Sequence, residues 1–377
     1  MTDDARRPRE PGTLKIGEIG GVDVLVRSSW LLVAALIAVM IAPAIEQVEP
    51  GIGNGKYVAG VAFAVLLYLS VLLHEMSHAL MAKRYGLPVR SITLHFLGGV
   101  TEIEGEPDTP GREFGVSVVG PITSIGVGVA FLLLHPVAPD GLLRLAVDAL
   151  AGANLVVGVL NLVPGLPLDG GRVLRAGVWR VTGNPHRATI VAGWGGRVAA
   201  VLCLLFPLLQ EPVTGRPALV TDYVLGLVIA LFLWGGATQA IVSAKVRARL
   251  PVLRARTLAR RALAVPHDLP LAEAVRRAQE AQAGSIVSVG RDGTVAGIVS
   301  EAAVLATPEE RRPWVAVSTV ARTLQSGLRL PADLSGEPLI RAMQRTPASE
   351  YLLVEPDGTT FGVLVTEDVD RAFAAAT

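Results

Sequence analysis

Five consecutive residues, His74-Glu75-Met76-Ser77-His78, carry the strongest chemical signal in the chain. On a helix, positions four apart differ by about 40° in direction, so both imidazoles face the same way. Two histidines at this spacing can share one Zn²⁺. The carboxylate between them would lie near a bound water whose pKa the ion lowers toward about 7. The five residues close an apolar run from Tyr57 to Met81. Two histidines and a glutamate are costly to bury in lipid unless they are paired or metal-bound, which argues against a chance match.

A catalytic zinc takes three protein ligands and leaves one position for water. The leading candidate for the third ligand is Asp169, in the run NLVPGLPLDGG from Asn161 to Gly171. Pro164 and Pro167 break a helix and Gly170-Gly171 let the backbone turn, so a carboxylate can be presented at membrane depth. Alone, Asp169-Gly170 would read as a surface turn after a helix. Histidines expected at the same depth reverse that preference.

The elements that must position these residues are membrane spans. The chain is 51% hydrophobic and only 18% charged, below the roughly 25% charged of an average soluble domain. Its mean hydropathy is +0.49, and together these indicate an integral membrane protein. Six segments come near the ~20 residues that cross the hydrocarbon: Trp30–Ile45, Tyr57–Met81, Phe114–Leu134, Leu145–Val163, Thr189–Leu209 and Tyr223–Ala244. The fifth is the weakest, because Arg197 lies inside it; it starts later, or Arg197 snorkels or faces a polar interior. Residues 1–28 are polar, with Arg6, Arg7, Arg9, Lys15 and Arg27, and lack the apolar core of a cleavable leader. Cys203 reads as a small buried hydrophobe.

Basic residues cluster after the second, fourth and sixth segments: Lys83, Arg84 and Arg90, then Arg172, Arg175, Arg180 and Arg187, then Lys245, Arg247, Arg249, Arg254 and Arg256. The loop after the first carries Glu46 and Glu49 and no arginine. The bias places both termini in the cytoplasm, and Arg172 and Arg175 are assigned to it rather than to substrate. Between the second and third segments, alternation around Gly98-Gly99 predicts a hairpin. His95 within it reads as a hydrogen-bonded structural residue.

Beyond Ala244 the chain turns charged. A helical stretch around Leu271–Ala281, a strand Ser285–Val289, a turn Arg291-Asp292-Gly293 and a strand Val295–Val299 recur as Leu334–Met343, Tyr351–Val354, Pro356-Asp357-Gly358 and Thr360–Val365. A duplicated αββ-type unit with a period of about 65 residues is the simplest reading. The fold class is therefore mainly α: a polytopic helical bundle of about six spans with a membrane-associated β-hairpin, plus a C-terminal α/β pair. The expected division is 1–28 as a cytoplasmic segment, 29–245 as the membrane domain and 250–377 as the pair, split at about 250–308 and 314–377.

The His74–His78 motif ending a span, followed by Asn161–Gly171 with its Asp169-Gly170, resembles the two signatures of the site-2 protease family of intramembrane metalloproteases. The Gly-Gly hairpin and Gly120-Pro121 fit the same resemblance, which covers about residues 15–245. It implies His74, His78 and Asp169 as ligands of one Zn²⁺ and Glu75 as general base. It implies that Asn161 helps hold the oxyanion or substrate, and that Pro164 and Pro167 form the helix break. The implied substrates are membrane-spanning proteins, such as a membrane-anchored regulator, cleaved within the lipid bilayer; no nucleic acid is expected.

The C-terminal pair resembles cystathionine-β-synthase (CBS) modules, and the resemblance implies an adenine nucleotide between the two units. The usual signature is a hydroxyl residue followed three positions later by aspartate. The first unit has Ser300 but Ala303 in the aspartate's place, and the second has Asp368 but Val365 in the hydroxyl's place. Dimerisation through the pair, or partner docking, stands level with nucleotide sensing. A CBS-regulated transporter or channel is the alternative; there the buried His, Glu and Asp would form an ion path. A path needs polar residues spread over several spans, whereas these converge near one depth.

Overall fold

The computed structural model describes residues 12–95, 98–250, 253–291 and 293–375. The described chain opens with two strands. Thr13–Ile19 (β1) and Val22–Arg27 (β2) pair antiparallel across Gly20-Gly21. The φ angles there, +59° and +75°, are the two left-handed positions that a type I′ hairpin turn demands. The polar segment expected before the first span thus carries a hairpin; Arg6, Arg7 and Arg9 lie outside the described residues.

Two long helices follow, Ser29–Val48 (α1) and Gly55–Arg84 (α2), then strands Val89–His95 (β3) and Gly98–Ile103 (β4). β3 and β4 form the expected antiparallel hairpin; Phe96 and Leu97 fall outside the described residues. β3 also pairs in parallel with β2, giving one sheet in the order β1-β2-β3-β4 with β4 at an edge. Val22, Val89, Ile92 and Leu94 of this sheet pack on Tyr68, Met76, Ala79 and Ala82 of α2. The Tyr68 hydroxyl donates to the His95 carbonyl at 3.1 Å, fixing sheet to helix.

Pro110–Leu134 (α3), Leu142–Asn161 (α4), Asp169–Thr182 (α5), Pro185–Thr214 (α6) and Val220–Arg249 (α7) complete this unit. All but α5 are long and apolar enough to cross a membrane, six candidate spans in all. The fifth span begins at Pro185, earlier than expected, so Arg197 lies well inside it. Its guanidinium is covered on two sides, 4.7 Å from the Trp194 ring and 5.0 Å from the Trp234 ring. It also donates to Thr238 Oγ1 at 3.2 Å. These cation–π contacts shield the charge, a role that nothing in the sequence assigned to either tryptophan. The short helix α5 was not expected either.

The chain divides after Ala244 into two compact units. The second holds Ala255–Leu258 (α8), Ala262–Pro266 (β5), Leu271–Glu280 (α9), Ser285–Val289 (β6), Val295–Val299 (β7) and Glu301–Ala306 (α10). Val317–Val320 (α11), Ala321–Thr323 (β8), Arg329–Pro331 (β9), Gly336–Arg345 (α12), Glu350–Val354 (β10), Thr360–Val365 (β11) and Thr366–Ala375 (α13) repeat that order with one strand more, β8. Each half has a leading strand and a trailing helix beyond the expected αββ core. Asp292 of the first turn lies outside the described residues. In the second turn Asp357 Oδ1 accepts the Thr359 N–H and Gly358 has φ +83°. β8 completes the sheet β5-β6-β7-β8, while Arg260 bridges to Val363 of the other sheet, β9-β10-β11. Each half therefore lends a segment to its neighbour, and Val287 and Ile298 share a core with Leu352 and Val363.

Candidate metal centre

His74 and His78 lie about two-thirds of the way along α2, each 5% exposed, with Glu75 at 8%. The helix α3 sets the orientation of both rings. His78 Nδ1 donates to the Val116 carbonyl at 2.6 Å. A carbonyl only accepts, so the proton of the neutral ring sits on Nδ1 and Nε2 is a bare lone pair. His74 Nδ1 lies 2.9 Å from Ser124 Oγ, which accepts its proton when the ring takes the same tautomer.

The two Nε2 atoms lie 3.2 Å apart, and Asp169 Oδ2 is 3.1 Å from one and 3.2 Å from the other. With both rings in this tautomer no hydrogen lies between the three atoms, and they repel unless a cation sits among them. A tetrahedral Zn²⁺ with bonds of about 2.0–2.1 Å holds its ligand atoms about 3.3 Å apart, so the set fits this ion. The neighbouring backbone leaves room for it. A Cβ on Gly120 would stand 2.5 Å from His78 Cε1 and 2.7 Å from His74 Nε2, against both imidazoles. His74, His78 and Asp169 form a group able to hold a metal ion among the described residues.

Asp169 opens α5, after a loop pinned to α6 by the Leu166 N–H, which donates to the Ala192 carbonyl at 3.0 Å. Gly170 and Gly171 do not turn the chain as expected, since neither has a positive φ. They let the first turn of α5 lie directly on the loop: a Cβ at either would collide with backbone of residues 162–166.

Glu75 is held from the sheet. Thr101 of β4 has one hydroxyl proton and two acceptors in reach, Glu75 Oε2 at 2.6 Å and the Glu75 carbonyl at 3.1 Å. Gly99 lets the strand pass this close, because a Cβ there would stand 2.9 Å from Glu75 Cδ. Thr101, Val116 and Ser124 were missed in the sequence; only the Gly-Gly pair signalled a close approach. Asn161 ends α4, half-buried, and its side chain has no hydrogen-bonding partner among the described residues.

In the second unit Ser300 precedes α10 and Asp368 lies in the first turn of α13. Asp368 is taken by Arg260, with Nε at 2.6 Å and Nη2 at 3.1 Å, while Arg260 Nη1 reaches Glu301 at 2.9 Å. That guanidinium holds the Asp368 carboxyl below the usual carboxylate range. A cavity of about 210 Å³ beside it is lined by Arg260, Gln279, Glu301, Glu350 and Val365.

The profile of Peptidase family M50 matches residues 62–140 and 135–206. The chain is 31% identical over 375 residues to Rip3 of Mycobacterium tuberculosis, named as a zinc metalloprotease, covering 95% of this chain and 92% of that protein. The chain belongs to peptidase family M50. His74, Glu75 and His78 fall in the first matched segment and Asp169 in the second. This M50 chain is a multi-pass membrane zinc metalloprotease. A site-2 protease from Methanocaldococcus jannaschii is 25% identical, with TM-score 0.42, over 61% of this chain and 95% of that one. The CBS domain of a bacterial CNNM/CorC family Mg²⁺ transporter is 17% identical, with TM-score 0.28, over 41% of this chain and 96% of that one.

Proposed function

We propose that His74, His78 and Asp169 hold the catalytic Zn²⁺ and that Glu75 is the general base for cleaving a peptide bond in a membrane-spanning protein. One observation carries this reading: three side-chain atoms 3.1–3.2 Å apart, two from the buried His74 and His78 and one from the half-buried Asp169, with Glu75 next to one of them in sequence. When bound, the ion polarises the scissile carbonyl and acidifies a water. Glu75 takes the proton of the attacking water and returns it to the leaving amine. Thr101 orients that carboxylate. Asn161, with its amide unengaged, donates to the developing oxyanion. An extended substrate segment adds to β4, an edge strand whose Gly99 and Thr101 touch Glu75. No observation favours an ion path, since His74, His78 and Asp169 meet in one cluster.

The second unit is read as a regulatory CBS pair, with the N- and C-termini in the cytoplasm. Arg260 already engages both oxygens of Asp368, so an adenine nucleotide would compete with it; weak binding at most is expected. Homodimerisation through the pair remains an equal role for it.

Glu75→Gln tests the central reading. The variant should keep its zinc and lose cleavage by about two to four orders of magnitude, the usual contribution of a general base. A proteome comparison of cells carrying wild type or this variant would reveal the substrate as the protein that stays uncut. Cleavage at the wild-type rate by Glu75→Gln would remove the proposed base.

A further inference from the structure

A buried ion pair links the two helices that meet at the metal centre. Glu113, in the first turn of α3, is fully buried, and its Oε1 accepts from Arg175 Nη1 of α5 at 2.6 Å. Arg175 Nη2 reaches Glu106 at 3.0 Å, and the guanidinium lies 5.8 Å from the Trp179 ring. The sequence assigned Arg175 to the charge bias of its loop. Its side chain is instead only 14% exposed.

The positions of the pair along both helices match. Arg175 is six residues from Asp169, about 9 Å along α5 at 1.5 Å per residue. Glu113 is seven residues from Gly120, about 10.5 Å along α3. The pair therefore fixes how far α5 can slide along α3. That same helix α3 supplies Val116 and Ser124, which orient His78 and His74. The third ligand is thus registered against the helix that registers the first two.

Stability alone does not explain the pair. Glu113 Oε2, Arg175 Nε and, one turn along α3, Ser117 Oγ are buried without a partner. A buried ion pair with unmet polar atoms adds little over apolar residues of similar volume.

We infer that Glu113 and Arg175 are positioning residues that set the Asp169 carboxylate at metal-binding distance from His74 and His78. The inference rests on the reading of Asp169 as a ligand. The test uses the full chain in detergent, with zinc affinity from chelator competition and the visible absorption of the Co²⁺-loaded protein. Glu113→Gln with Arg175→Gln removes both charges and so leaves neither one buried alone. We expect zinc affinity to fall by about 10–100-fold, the usual cost of losing an outer support, with the Co²⁺ bands displaced. Glu113→Asp keeps both charges but shortens the tether; a smaller loss with displaced bands is expected even if the double variant folds poorly. Neutralising Glu46 and Lys56, an ion pair between α1 and α2, should change neither readout. Wild-type affinity and spectrum in the double variant or in Glu113→Asp, while Asp169→Ala loses both, would overturn the inference alone. If Asp169→Ala keeps both, the ligand reading fails and the inference falls with it.

Discussion

Gly120→Ala places one methyl group against the imidazoles of His74 and His78, two of the three proposed ligands. Its carbon would begin 2.5 Å from His78 Cε1 and 2.7 Å from His74 Nε2. Non-bonded carbon contacts settle near 3.5–4.0 Å, so the rings must retreat by roughly 1 Å. Metal sites tolerate about 0.2 Å in their ligand distances, so at least one bond to the ion is lost. Losing only an outer support costs about 10–100-fold, so a fall in zinc affinity of at least about 100-fold is expected. Chelator competition on the purified chain measures it directly. Gly126→Ala on the same helix is the control, because nothing lies within 4 Å of the added carbon. Alanine favours a helix over glycine by roughly 0.5–1 kcal/mol at either position, so a fall at position 120 alone cannot be a loss of helix. Wild-type zinc affinity in Gly120→Ala would refute the arrangement of the three donors.

Thr101→Val removes a hydrogen bond to a carboxylate, worth about 1.5–3 kcal/mol, so kcat should fall about tenfold or more with KM little changed. Thr101→Ser should recover the rate; an unchanged kcat in the valine variant would remove Thr101 from the site. Deleting residues 250–377 should leave zinc bound and alter the cleavage rate, and unaltered cleavage would end the regulatory claim. Calorimetry with ATP, ADP and AMP should detect binding weaker than micromolar, whereas a micromolar Kd would mean that Arg260 readily releases Asp368. Cysteine labelling should place the loop at Glu49 outside the cell and the C-terminus inside, and an external C-terminus would overturn the orientation.

The three side chains that converge at the candidate site, His74, His78 and Asp169, were legible because their chemistry is concentrated in a few residues. A histidine pair at helical spacing inside an apolar run is too costly to bury without a cation to share, and Asp169 followed from the helix break before it. The partners that orient those groups were not legible. Val116 acts through its backbone carbonyl, and Ser124 and Thr101 are common residue types whose neighbours lie 26 to 50 positions away in sequence. The hairpin β1–β2 was hidden by a charge count, although Gly20-Gly21 between alternating runs signals such a turn. Arg197 looked like a flaw in the fifth span because its cover, Trp234 and Thr238, comes from the next helix. In the second unit the repeat was visible, but the exchanged segments were not, since pairing between halves leaves no local pattern.

The parallel pairing of β2 with β3 has a consequence for biosynthesis. Those strands are neighbours in one sheet, yet α1 and α2 lie between them in the chain. A ribosome delivers β2 first, and its partner emerges only after both helices have been made. Adjacent strands must also stand on the same face of the bilayer, so α1 and α2 must cross as an out-and-back pair. The sheet bearing Thr101 and Gly99 can therefore close over Glu75 only once that double crossing is complete. A nascent chain with only α1 inserted has neither Glu75 in place nor Thr101 to hold it, so insertion of both helices precedes assembly of the candidate site.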